Sequence, residues 1–255
     1  MNEPFAVLLC GHGSREAETL REVDVLVNVL RDRLSGMRIG HGFLEFAEPT
    51  IAQGLTQLHQ EGAREILVLP LTLFEGKHAQ DDIPALLRDF GAAHPGLRLR
   101  YGQGFGAEET FFAIAADRVR AAAAANLAAG PESTFLLLVA RGTNKAGAQD
   151  AMEKMARRLQ KTFGFADALA AFSGLAAPSL AEGLAHAARS GTAQVLVVPY
   201  FLFTGRLLQE VHAKVQTAAR ASATRYYVAE HLFGHPLLEA ALIARIRENA
   251  GDGGA

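Results

Sequence analysis

Residues 43–80 read FLEFAEPTIAQGLTQLHQEGAREILVLPLTLFEGKHAQ, and residues 172–209 read FSGLAAPSLAEGLAHAARSGTAQVLVVPYFLFTGRLLQ. Aligned without a gap at an offset of 129 positions, the two stretches are identical at 14 of 38 places, too many for coincidence in segments that also share their turn residues. Pro49 falls on Pro178, Gly54 on Gly183, Pro70 on Pro199, Phe74 on Phe203 and Gly76 on Gly205. Thr50/Ser179, Ile51/Leu180 and Lys77/Arg206 pair residues of like chemistry. Self-similarity at a fixed period decides how many structural copies a chain holds. This chain holds two.

Within each copy, short β-rich apolar runs alternate with segments whose apolar residues recur every three or four positions, the signatures of buried strands and amphipathic helices. Strands are expected at about Phe5–Cys10, Ile39–Phe46, Ile66–Leu73 and Leu97–Tyr101, then Phe135–Ala140, Ala168–Leu175, Val195–Phe203 and Arg225–Ala229. Helices are expected to begin near Glu16, Ile51, Asp81 and Glu108, then near Ala146, Leu180, Leu208 and Pro236, where proline suits a first helical position. Apolar strands joined by helices predict parallel sheets covered on both faces through right-handed crossovers. The expected fold is α/β: two similar doubly wound parallel-sheet lobes, residues 1–129 and 133–255, related by internal duplication. The linker falls in AAGPES at 128–133, where glycine and proline follow an alanine-rich helix.

The charge balance narrows the function. Lys and Arg number 25 and Asp and Glu 27, a net charge of −2, which leaves no electrostatic footprint for nucleic acid or an anionic membrane. A small molecule is the expected partner. One cysteine, Cys10, cannot form an internal disulfide, and MNEPFAVLLC lacks the charged segment and longer apolar core of a signal peptide, so a cytoplasmic location is expected. The longest apolar runs, such as Val195–Phe203, fall far short of the roughly 20 residues that cross a bilayer. GQGFG at 102–106 does not complete a dinucleotide fingerprint, and neither a nucleophile elbow nor a phosphate-binding lysine motif is present.

In parallel α/β sheets ligands bind beyond the carboxyl ends of the strands. His12 lies just past the first expected strand, Glu45 near the end of the second and His78 a few residues past the third. Imidazoles and a carboxylate form a common ligand set for divalent transition metals, and imidazole also accepts a proton near neutral pH. At the same offset the second copy carries Arg141, Gly174 and Leu207, so its counterpart of this constellation has none of the three groups. Gly11 and Gly13 permit a tight turn around His12, and Ser14 is expected to cap the following helix. Alternation along the strand favours Glu45 over Glu48, which precedes Pro49 in the loop; Glu48 remains the competing carboxylate. Arg15, Lys77, Arg141, Lys145 and Arg206 are basic residues near the same rims, and arginine suits bidentate contact with carboxylates. Cys10 is expected to pack, with a soft-metal contact open to it through its nearness to His12. His41, His59, His94, His186, His212, His231 and His235 show no convergent ligand spacing.

LLCGHGSREAE, FLEFAEPTI and LVLPLTLFEGKHAQDDIP resemble the three signature regions of the sirohydrochlorin chelatases, class II tetrapyrrole chelatases, and FSGLAAPSL and VLVVPYFLFTG resemble the degenerate lobe of the family's long form. The resemblance spans nearly the whole chain. It implies ATP-independent insertion of Co2+ or Fe2+ into sirohydrochlorin in cobalamin or sirohaem biosynthesis, in a cleft between two α/β lobes, with no organic cofactor. His12 and His78 would bind the metal and assist proton removal, and Glu45 would complete the set. Ser14, Arg15, Lys77, Arg141 and Arg206 would meet the acidic ring. Single-lobe members pair as homodimers, so a duplicated chain could act as a monomer. Ni2+ and Zn2+ suit the same ligands. A non-catalytic metal or tetrapyrrole carrier is the competing expectation.

Overall fold

The computed structural model describes residues 5–74, 81–105, 109–142, 146–174 and 176–251. The first copy supplies β1 (Phe5–Gly11), α1 (Ala17–Arg33), β2 (Arg38–Phe43), α2 (Ile51–Gln60), β3 (Glu65–Pro70), α3 (Ile83–Ala93), β4 (Arg98–Tyr101) and α4 (Glu109–Asn126). The second supplies β5 (Thr134–Ala140), α5 (Ala146–Phe163), β6 (Asp167–Phe172), α6 (Leu180–Arg189), β7 (Gln194–Tyr200), α7 (Arg206–Arg220), β8 (Arg225–Val228) and α8 (Pro236–Gly251).

Each set of strands forms a four-stranded sheet, in the order β2-β1-β3-β4 and β6-β5-β7-β8, and every pairing is parallel. The duplication extends to register. Leu8 lies between Gly40 and Val68, and its counterpart Leu137 lies between Leu169 and Val197. Inner strands of a parallel sheet bury both faces, which explains why Ala6–Cys10 and Phe135–Val139 are wholly inaccessible. One face of the first sheet, through Ala6, Leu8, Cys10, Ile66 and Val68, packs on Ile51, Leu55 and Leu58 of α2 and on Ile83 and Leu87 of α3. The period of two on the strands thus meets the helical spacing on α2.

Helices α2 and α6 begin alike. The Thr50 and Ser179 side chains accept from the backbone N–H of Gln53 and Glu182, whose own side chains accept from the Thr50 and Ser179 backbone. These reciprocal capping boxes satisfy donors that the first helical turn leaves orphaned, and each contributes about 1 kcal/mol. Just upstream, Glu48-Pro49 and Ala177-Pro178 are both cis.

Four strands end three residues earlier than their apolar runs predict: β2 at Phe43, β3 at Pro70, β6 at Phe172 and β7 at Tyr200. Beyond these ends Leu71, Phe201 and Leu202 remain buried, so hydrophobicity there records loop residues that finish the core. An apolar run measures burial, and burial outlasts the strand.

The chain forms two compact units, Met1–Gly106 with Pro236–Ala255, and Ala107–His235. The repeat and the units therefore divide the chain differently. In the second unit α4 packs on β7 and β8; in the first, α8 packs on α1. Each copy contributes its fourth helix to the unit built on the other copy's sheet. The segment between α4 and β5 is bound within the second unit: Gln194, fully buried, donates through Nε2 to the Ala129 carbonyl at 2.7 Å and to Thr134 Oγ1 at 2.8 Å. A 3-10 turn at Pro131–Ser133 follows.

Candidate functional site

Strand β1 delivers His12 to the carboxyl edge of the first sheet, one residue past Gly11. The ladder between β1 and β2 continues beyond the strands, because Leu44 N–H donates to the Gly11 carbonyl at 3.0 Å and Glu45 N–H to the His12 carbonyl at 2.9 Å. Two loops from separate parts of the sequence are thereby fixed side by side. Gly13 makes this approach feasible: its φ is +96°, and a Cβ there would lie 1.8 Å from the Glu45 carbonyl oxygen. Only glycine fits.

Glu45 accordingly lies in a loop and not on β2, which corrects the face argument that favoured it over Glu48. Both glutamates are exposed. The difference between them is the backbone bond that ties Glu45 to His12. The next residue, Phe46, breaks the extended conformation with a φ of 63°, a left-handed state that costs a bulky L-residue about 1–2 kcal/mol. Its ring stands edge-to-face with His12 at 5.5 Å, interplanar angle 83°, and the Arg15 guanidinium lies over it at 5.2 Å. Sequence reasoning missed Phe46. The available signal was an aromatic residue directly following a candidate ligand.

Ser14 acts differently from the expected helix cap. Its Oγ accepts the Glu16 N–H at 3.0 Å, whereas Glu16 itself is the N-cap of α1 and makes no side-chain cap. The hydroxyl shapes the turn that leads from His12 to the helix. Cys10 is completely buried, and burial pushes its thiol well above the ordinary thiol range, so it behaves as a packing residue.

The third approach to this edge comes from β3, after which Leu71 N–H donates to the Cys10 carbonyl at 2.7 Å and Phe105 N–H to the Thr72 carbonyl at 2.9 Å. Gly76, Lys77, His78 and, in the second copy, Lys145 lie outside the described residues. Among the described residues no three His, Cys, Asp or Glu side chains gather closely enough to hold an ion.

In the second unit Ser173 N–H donates to the Ala140 carbonyl at 2.9 Å, the counterpart of the Leu44–Gly11 bond. Arg141 occupies the His12 position and is exposed. At the Glu45 position a Cβ on Gly174 would come within 2.5 Å of the Arg141 carbonyl oxygen, so this loop admits no side chain there. Arg206 heads α7, is 82% exposed and donates through Nε to Glu210 Oε1 at 2.9 Å. A solvated pair of this kind holds the arginine only weakly.

The other histidines make local contacts. His59 and His94 each place Nδ1 against a backbone carbonyl, of Ala63 at 3.0 Å and Phe90 at 2.8 Å. His41, on β2, lies 3.6 Å from the Asp24 carboxylate and 5.3 Å from the Phe43 ring. Burial lowers its pKa, an effect that Asp24 opposes and Arg31 reinforces.

Comparison with known proteins agrees with the duplicated architecture. The CbiX family model matches the chain twice, over residues 6–122 and 135–249. A sirohydrochlorin ferrochelatase of Priestia megaterium is 30% identical over 230 residues, covering 90% of this chain and 85% of the relative. A sirohydrochlorin cobaltochelatase of the same organism is 28% identical over 244 residues, covering 95% and 79%. The solved structure of SirB from Bacillus subtilis with Fe3+ superposes with a TM-score of 0.82 at 26% identity, over 98% of this chain and 96% of that one. SirB from Bacillus subtilis subspecies spizizenii in complex with cobalt gives 0.79 at 26% identity, over 97% and 96%. With both halves matched by one family model and the parallel-sheet fold shared throughout, the chain belongs to the CbiX family.

Proposed function

We propose that this chain inserts Fe2+ or Co2+ into sirohydrochlorin without ATP, and that its first copy carries the chemistry. The observation that supports this most is the backbone bond from Glu45 to the His12 carbonyl, which sets an imidazole-bearing and a carboxylate-bearing residue on adjacent loops at the edge where parallel sheets bind ligands. The named relatives, ferrochelatases and cobaltochelatases of sirohydrochlorin, give the reaction class.

Insertion strips water from the ion and replaces two pyrrole N–H protons with metal–nitrogen bonds. It calls for ligands that release the ion and for a base whose pKa lies near the working pH. His12 and His78, with Glu45, hold the substrate ion and surrender it to the macrocycle; one imidazole accepts one pyrrole proton and the other proton passes to solvent water. Ser14, Arg15, Lys77, Arg141 and Arg206 meet the ring carboxylates. The second copy, with Arg141 where the first has His12, serves anion recognition. The metalated product feeds sirohaem or cobalamin synthesis according to the ion, and one fused chain suffices for activity.

Purified protein mixed with sirohydrochlorin and Fe2+, Co2+, Ni2+ or Zn2+ tests this by the change in absorption. Acceleration above the uncatalysed rate with at least one ion is expected. Binding of ion or ring without acceleration would identify a carrier instead.

A further inference from the structure

Among the described residues Val25, Phe46 and Tyr101 are the large apolar side chains left exposed, and of these Phe46 stands beside His12. Its exposure of 52% is not a matter of indifferent surface placement. A φ of 63° crowds the Cβ of a bulky residue, and such outliers persist where their surroundings over-determine them, often at ligand sites. Here the Glu45 N–H is fixed to the His12 carbonyl immediately upstream, and the phenyl ring meets an imidazole at 5.5 Å and a guanidinium at 5.2 Å. The strained turn keeps an aromatic ring in solvent next to a candidate metal ligand, with a cation against it.

That combination selects a particular ligand chemistry. A bare metal ion gains nothing from a phenyl ring, which has no donor atom for it. A flat conjugated macrocycle with carboxylates on its periphery gains twice, because its face can bear on the aromatic ring while its edge meets the cation. We propose that Phe46 is a substrate-binding residue, its ring bearing on the face of the tetrapyrrole beside His12, while Arg15, whose guanidinium lies over that same ring, pairs with a peripheral carboxylate. This rests on the chelatase reading. It assigns ring affinity and metal affinity to different residues of one edge.

The test compares wild type with Phe46→Ala, Phe46→Tyr and Phe46→Gly. Equilibrium binding of metal-free sirohydrochlorin is followed by its absorption, and steady-state insertion is measured with Co2+. Phe46→Ala is expected to weaken ring binding and to raise the KM for the ring about tenfold, with kcat and the KM for metal within about twofold. Phe46→Tyr retains wild-type binding. Phe46→Gly, which accepts the left-handed backbone without strain, shows the same loss of ring affinity with a melting temperature no lower than wild type, which separates recognition from folding. Wild-type ring affinity in both Phe46→Ala and Phe46→Gly, in a preparation whose parent inserts metal, overturns this proposal and leaves the chelatase reading intact. A parent that neither binds the ring nor accelerates insertion overturns the chelatase reading, and the proposal with it.

Discussion

The backbone N–H of Glu45 donates to the His12 carbonyl at 2.9 Å, carrying the β1–β2 ladder one step past both strands. In the second copy the equivalent residues are Gly174 and Arg141, and they approach so closely that a Cβ on Gly174 would meet the Arg141 carbonyl at 2.5 Å. The two copies therefore differ in local backbone geometry at this position as well as in side chains. The first leaves room for a carboxylate beside its histidine. The second has closed that room.

Gly13→Ala should damage both fold and site. The new methyl group would sit 1.8 Å from the Glu45 carbonyl oxygen on a backbone with φ of +96°, so the loops must part. A stability loss of about 2 kcal/mol or more is expected in urea unfolding, with insertion reduced at least about tenfold. Unchanged stability would show that the loops separate without cost.

Glu45→Gln and Glu48→Gln distinguish the two carboxylates that exposure alone leaves equivalent. With Glu45 as the ligand, Glu45→Gln lowers kcat/KM for the metal about tenfold or more, while Glu48→Gln stays within about threefold. The reverse ranking assigns the role to Glu48.

These two positions also mark where the sequence is legible. The repeat predicts two parallel-sheet units, and the spacing predicts helix starts at Ile51, Ala146, Leu180 and Pro236, all of which the structure places there. Periodicity works because β1 and β5 bury both faces and α2 buries one stripe. It misjudges the ends of β2, β3, β6 and β7, since Leu71, Phe201 and Leu202 are apolar for the sake of the core and not of a strand. The function of Ser14 was equally hidden: one hydroxyl can cap a helix or shape the turn before it, and only geometry decides. The exchange of α4 and α8 between units leaves no local mark, because nothing within a helix's own sequence names the unit it packs in. Phe46 shows itself only through its φ and its neighbours.

Gln194→Leu should destabilise the second unit. Buried Gln194 holds the Ala129 carbonyl of the linker and the Thr134 hydroxyl at the start of β5, and leucine would leave both groups without it. A loss of about 2–3 kcal/mol is expected from the denaturant midpoint. A change below about 0.5 kcal/mol would mean that water replaces the amide.

His41 gives stability a dependence on pH. Its folded pKa lies below the ordinary value of 6.5, so on acidification through 6.5 the unfolded chain takes the proton first. Stability is therefore lost as pH falls from 6.5 towards the folded pKa, and is fully regained above 6.5. Asp24→Asn removes the charge that opposes this shift and should lower the His41 pKa further in an NMR titration. An upward movement would contradict the opposing role given to the Asp24 carboxylate.

The central claim is that the ion is handled by the first copy alone, through His12 and His78, whereas Arg141 of the second copy takes part only in recognising the ring. Insertion rates for His12→Ala, His78→Ala and Arg141→Ala, measured over a range of Co2+ at fixed sirohydrochlorin and over a range of sirohydrochlorin at fixed Co2+, test it most directly. The expected result is a loss of at least about a hundredfold at limiting Co2+ for each histidine variant, and a raised KM for sirohydrochlorin with unaltered use of metal for Arg141→Ala. Full insertion rates at limiting Co2+ in both histidine variants would contradict the claim.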